Sequence, residues 1–150
     1  MKRLLAVSLL VFTLPVLRPL SAASGQAAGS PAADEIKAVL EAQKAAWNRA
    51  DIEGFMATYW NSDSLTFQSG KVRTHGWANV LARYKRTYAA DNMGQLDFTD
   101  LAVTMLAADA AYVLGRFKLV MKDATSEGVF TLILRHTKDG WRIIHDHTST

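Results

Sequence analysis

Two histidines spaced by one residue, His145 and His147, stand near the end of the segment Trp141-Arg-Ile-Ile-His-Asp-His-Thr148. On an extended strand, residues two apart face the same side, so this spacing predicts that both imidazoles enter one cavity. Imidazole titrates near neutrality, which suits a general acid or base, or a polar contact to a ligand. A His-x-His pair can also offer two metal ligands, but a site needs a third, and His75 is the only further histidine placed to help. No carboxylate pairs with it, and no metal is expected. The same two rings can instead hydrogen-bond backbone or hydroxyl groups and simply fix the last strand. Strict alternation puts Trp141 and Ile143 on the histidines' face. It puts Arg142, Ile144, Asp146 and Thr148 on the other, where Arg142 and Asp146 can form a structural ion pair.

A second set of candidates is aromatic: Trp47, Tyr59, Trp60, Phe67, Trp77, Tyr84 and Tyr88. Their helical spacing fits core packing, while the polar tips of Tyr and Trp suit the wall of a semi-polar pocket. Arg116, between Gly115 and Phe117, reads as an outward or interface residue, because an inward guanidinium would need a buried carboxylate. Other chemistries lack their residues. With no cysteine in the chain there is no thiol nucleophile, disulfide or zinc–thiolate site. Neither a Gly-x-Ser-x-Gly elbow nor a glycine-rich phosphate loop is present.

The elements that must position these residues follow from periodicity. Ser30-Pro31 and Asp34 start a helix, and Ile36, Val39, Leu40 and Trp47 continue it to about Ala50. Asp51 caps a second, short helix carrying Phe55, Met56, Tyr59 and Trp60. Leu65 to Phe67 and Val72 to Thr74 form a small hairpin about Ser69-Gly70-Lys71. A third helix from Gly76 sets Trp77, Leu81, Tyr84 and Tyr88 on one face, with Arg83, Lys85 and Arg86 pointing elsewhere. Strands follow over Leu96–Leu106, Ala111–Met121, Val129–Thr137 and Trp141–Thr148, the last pair joined by Lys138-Asp139-Gly140. Helices first and a long antiparallel meander afterwards is an α+β order. Such a sheet curls around its helices into a cone with a cavity between them, bent at bulges that the sequence does not locate. Apolar residues on both strand faces (Val113, Phe117 and Leu119 against Leu114, Val120 and Met121) predict a second covering layer, hence a homodimer.

The chain has 150 residues, 49% of them apolar, and four tryptophans, enough for one domain with a packed core. Its first residues read differently. Lys2 and Arg3 precede an apolar run from Leu4 to Leu17, and Ser21-Ala22-Ala23 offers a small-residue cleavage site, the three-part pattern of a secretory signal. Residues 1–23 are therefore expected to be a signal peptide, 24–33 a flexible leader and 34–150 the domain, with a periplasmic or secreted product. The run is short for a membrane span and Pro15 interrupts it, so no stable membrane anchor is expected after cleavage. Of the 17 basic residues, Lys2, Arg3 and Arg18 lie in the signal segment, which has no acid; the remaining chain balances its 14 acidic residues and is neutral. The formal charge of +3 is thus a property of that segment and gives no support for nucleic-acid binding.

The run Ala45-Ala-Trp-Asn-Arg-Ala-Asp-Ile-Glu-Gly-Phe-Met-Ala-Thr-Tyr59 resembles the opening helices of nuclear transport factor 2-like proteins. Gly76-Trp77, Arg83-Tyr84-Lys85 and Asp109–Phe117 continue the resemblance. Its most specific piece is the ending from Gly128 to Ser149. That ending is similar to the SnoaL-like branch known as domain of unknown function 4440, related to the calcium/calmodulin-dependent kinase II association domain. The resemblance implies a cone-shaped cystatin-like fold, frequent dimers through the sheet and a pocket, but no fixed activity. An ungapped alignment of Asp51–Gly70 with bacterial ketosteroid isomerases places their aspartate base at Phe67. Their oxyanion tyrosine falls at Gln43 and their second oxyanion acid near Thr131, so that mechanism lacks its groups.

Three functions stay open. The chain can be a module that holds a small apolar or aromatic molecule against Trp47, Tyr59, Trp60, Phe67, Trp77, Tyr84 and Thr131, beside His145 and His147. It can be a lyase, isomerase or hydrolase using the histidine pair as acid and base. It can be a non-catalytic dimerisation module. No cofactor is expected in any of them.

Overall fold

The first helix, α1, spans Pro31–Asn48 and begins as its sequence requires. The Ser30 hydroxyl accepts a hydrogen bond from the Ala33 N–H at 3.2 Å, and Pro31 sits where no intrahelical N–H is needed. Ile36, Leu40, Gln43 and Trp47, at spacings of three and four, form its buried stripe. A computed structural model describes residues 29–88 and 93–150. The expected signal peptide, its cleavage site and the first half of the 24–33 leader lie outside the described residues, while the leader's last three residues, Pro31 to Ala33, belong to α1 instead of a flexible segment. Asp51 caps α2, Ile52–Met56, by accepting the Gly54 N–H at 2.7 Å. Helix α3, Trp77–Thr87, follows the hairpin of β1, Thr66–Ser69, and β2, Val72–His75. No described helix is long and apolar enough to cross a membrane.

Four long strands complete the chain: β3, Gln95–Ala107; β4, Ala110–Val120; β5, Thr125–Thr137; and β6, Gly140–Ser149. They do not form a sheet by themselves. The hairpin joins them, giving a six-stranded sheet in the order β2-β1-β6-β5-β4-β3, with β1 running parallel to β6. Strand β5 also begins earlier than Gly128 suggests, because Val120 and Thr125 already pair across a tight turn. Gly128 is a strand residue there for a steric reason: a Cβ at that position would collide with the Ser149 carbonyl.

The sheet is curved and unclosed. Its register is interrupted in β3 between Thr99 and Ala102, where Asp100 adopts a φ of 56°, and in β6 near Ile144. A bulge inserts one unpaired residue, bends its strand and increases local twist. The inner face carries Val113, Leu119, Phe130, Leu132, Leu134, Trp141 and Ile143, all buried in the core shared with α1 and α2. On the outer face Leu114 and Val120 are each 45% exposed and Val129 46%. Met121, expected on that face, packs against the core instead.

Candidate functional site

Strand β6 changes phase halfway along. Leu134 pairs with Ile143, but the preceding residue of β5, Ile133, pairs with His145, leaving Ile144 as an extra residue. Before this bulge Trp141 and Ile143 face the core as alternation predicts. After it every side chain takes the opposite face, the consequence of a one-residue slip in a period of two. Asp146 and Thr148 therefore point into the cavity, and His145 and His147 point away from it.

This corrects the expected site. Neither imidazole lines the cavity. His145 is half-buried against Thr66, its Nδ1 in contact with the Thr66 hydroxyl, and burial, then His147 and Arg73, lower its pKa. His147 is exposed, in register with Thr131 of β5 and Gln68 of β1. Thr131 shares that outer face with Leu114 and is not a pocket residue. Among the described residues no three His, Asp or Glu side chains are grouped to hold an ion. The expected Arg142–Asp146 pair does not form either. Arg142, on the other side of the bulge, donates from Nη1 to the Trp141 carbonyl at 2.8 Å. Arg116 does face outward, with Nε 3.1 Å from Asp100 Oδ2.

The cavity between helices and sheet has a volume of about 170 Å³. Trp47, Phe55, Tyr59, Tyr84 and Tyr88 wall its helical side, Phe67 comes from β1, and Phe98, Phe117, Phe130 and Leu132 come from the long strands. Trp47, Tyr59, Phe67 and Tyr84 are thus where the aromatic pattern places them. Trp60 and Trp77 are not: they line a separate cleft beside the β5–β6 turn, and Trp77 donates its indole N–H to the Met56 carbonyl at 2.9 Å. The rings meet mostly edge to face, Trp47 with Tyr88 at 4.8 Å and Phe55 with Tyr84 at 5.0 Å between centroids. Such contacts add to the area they bury and fix the wall's shape. Polar tips are tied back into the structure. Trp47 donates to the Met93 carbonyl at 3.0 Å, and buried Gln43 donates to the Thr58 hydroxyl at 2.9 Å.

One carboxyl is buried in this largely apolar wall. Asp146 is 4% exposed, its Oδ2 accepts the Tyr59 hydroxyl at 2.7 Å, and its Oδ1 accepts the Thr148 hydroxyl at 2.7 Å. Burial pushes its carboxyl up to about 6, against the pull of those two donors and of His147. Tyr59 and Tyr84 are held well above the ordinary phenol value, by burial first and the Asp146 charge second, and so remain protonated donors. A carboxyl titrating near 6 beside fixed hydroxyl donors can take or return a proton close to neutral pH, and can hydrogen-bond a ligand in either state.

Strict alternation along β6 assigns Asp146 to the surface, and the structure places it inside. The signal that could have found it is the residue type, since Asp is depleted inside strands and needs a local reason to be there. Arg83, expected to point elsewhere than the apolar face of α3, also lines the cavity, with its guanidinium carbon 5.3 Å from the Phe67 ring centroid.

A comparison with curated proteins finds no match. Among solved structures, an NTF2-like protein of unknown function from Shewanella oneidensis is 38% identical. Its match covers 79% of this chain and 98% of that one, with a TM-score of 0.76. An NTF2-like superfamily protein from Salmonella enterica matches at 19% identity and TM-score 0.65, over 79% of this chain and 89% of that one. A Xanthomonas campestris protein named for the calcium/calmodulin-dependent kinase II association domain matches at 15% and 0.64, over 79% and 86% of the two chains. The last two likenesses show the fold. The sequence also matches the SnoaL-like domain over residues 36–150, and the chain therefore belongs to the SnoaL-like family.

Proposed function

We propose that the chain is an exported small-molecule-binding domain that holds a compact, largely apolar molecule in the cone and hydrogen-bonds it through Asp146. The SnoaL-like fold supports a ligand-binding or enzymatic domain in general. What carries the finer proposal is a buried carboxyl, Asp146, in a cavity walled largely by aromatic rings. A group so costly to bury is matched by two hydroxyl donors and keeps acceptor capacity for a ligand. The size of the cavity, about 170 Å³, is close to the ~150 Å³ that accepts benzene in an engineered core, so one ring with small substituents fits.

Four tryptophan indole signals offer the test. Trp47 lines the cone, Trp60 and Trp77 line the other cleft, and Trp141 is buried beside Glu35. A single-ring probe such as benzamide is expected to shift the Trp47 indole cross-peak in a saturable titration and to leave the other three nearly unmoved. A saturable response at Trp60 and Trp77 alone would move the site out of the cone.

The acid/base reading survives with a different residue. If chemistry occurs, a carboxyl near 6 makes Asp146 its proton acceptor, with Tyr59 holding the carboxylate in place. We also propose a homodimer through the outer sheet face, where Leu114, Val120 and Val129 remain about half exposed. Sedimentation should give twice the mass of one mature chain at micromolar concentration, and the same exported product should begin near Ser24. A one-chain mass would remove the dimer, and an N-terminus at Met1 would remove the export.

A further inference from the structure

Helix α3 carries three cations that are not equivalent. Lys85 pairs with Glu53, and Arg86 is exposed. Arg83 is half-buried at the cavity, stacked over Phe67. Among the described residues its guanidinium makes no hydrogen bond and has no carboxylate within ion-pair distance. The aromatic face attracts the charge without satisfying any of its N–H donors.

Asp146 does not answer this cation. The groups that act on the Asp146 carboxyl are Tyr59, Thr148 and His147, and Arg83 is not one of them. The Arg83 charge is felt instead at Tyr84 and Tyr88, on the helical wall. Around the rest of the cavity the hydroxyls of Ser69, Thr87, Ser126 and Thr148 are neutral, and exposed Thr150, which also lines it, makes no ion pair with Arg83. The pocket thus holds a buried carboxyl, Asp146, and a guanidinium over Phe67 that no carboxylate among the described residues answers. A fork of N–H donors left open in a mostly apolar wall matches a carboxylate in shape as well as charge.

We propose that the molecule held in the cone is a small organic anion, a single ring bearing a carboxylate, whose charge pairs with Arg83. This rests on the cone being the ligand site. It adds what that site selects: charged ring acids over their neutral isosteres. The cavity volume of about 170 Å³ suits a body of one ring.

Calorimetric titration with benzoate and benzamide at about pH 7.5 tests it, because the two differ in charge and hardly in shape. Wild-type protein should bind benzoate at least about tenfold more tightly, the usual advantage of a charge-assisted hydrogen bond. R83Q should bring the two affinities together, and R83K, which keeps the charge but not the fork, should fall between. Equal affinities in the wild type, or a benzoate preference that survives R83Q, would overturn the proposal. These results are separable from failure of the cone itself. Benzamide binding with a Trp47 response but no benzoate preference removes only the anion. Absence of both ligands from the cone, read at Trp47, removes the site.

Discussion

Asp146→Asn is expected to make the folded chain more stable above neutral pH, by about 3 kcal/mol at pH 8. The folded-state carboxyl titrates near 6 instead of 3.8, so between those values the folded chain holds a proton that the unfolded chain has released. The Asp146 contribution to wild-type stability must therefore fall as pH rises from about 4 to about 7, because each tenfold difference in proton affinity between the two states is worth roughly 1.4 kcal/mol. Asparagine has the same shape, can accept from Tyr59 and donate to Thr148, and never ionises. The decline should vanish in the variant. Asp51 and Asp109 have lowered values, from the Gly54 N–H and the Arg135 pair respectively, and their linkage runs the other way, with stability lost as pH falls. Because both forms share those groups, the difference between wild type and D146N isolates Asp146. Urea unfolding at a series of pH values measures it. Parallel curves would show that the carboxyl is not buried in the folded chain.

Tyr59→Phe should have the opposite sign and also depend on pH. Its hydroxyl is one of two donors to the carboxylate, and a hydrogen bond to a charged group contributes about 1.5–3 kcal/mol. Removing it leaves a buried charge with Thr148 alone and pushes the Asp146 carboxyl still higher. At pH 8 the cost should approach the top of that range. Near pH 5, where Asp146 is already largely protonated, it should be near the ~1 kcal/mol of a neutral hydrogen bond. In a D146N background the large cost at high pH should disappear, which a double-mutant cycle reads directly. An equal cost at both pH values and in both backgrounds would mean that Tyr59 stabilises by ring packing alone, against Phe55 at 5.7 Å.

These two residues also show what the sequence could and could not reveal. Tyr59 is legible as a pocket residue because helix caps and apolar spacing fix which face α2 and its flanking turn present. Ser30, Asp51 and the Lys138-Asp139-Gly140 turn act through local geometry, and their elements lie within a few residues of expectation. Asp146 is not legible, because its facing depends on one extra residue, Ile144, whose bulge is set by the pairing of β5 with β6. Alternation read straight through that point gives every later side chain the wrong face, which is why the spacing of His145 and His147 points them inside. Arg83 escapes for a different reason. Amphipathic spacing separates apolar from charged residues, and a guanidinium stacked on Phe67 belongs to both classes. Trp60 and Trp77 are aromatic like the true wall, and only the tertiary path of the chain sends them to a different cleft.

The proposed ligand chemistry of the cone resides in the Asp146 carboxyl and not in the histidine pair behind it. A carbon-detected NMR titration of the Asp146 side-chain carboxyl in the mature protein measures this most directly. The structure predicts a midpoint of about 6. A midpoint near 3.8, the ordinary value for an exposed aspartate, would contradict it and return the residue to the protein surface.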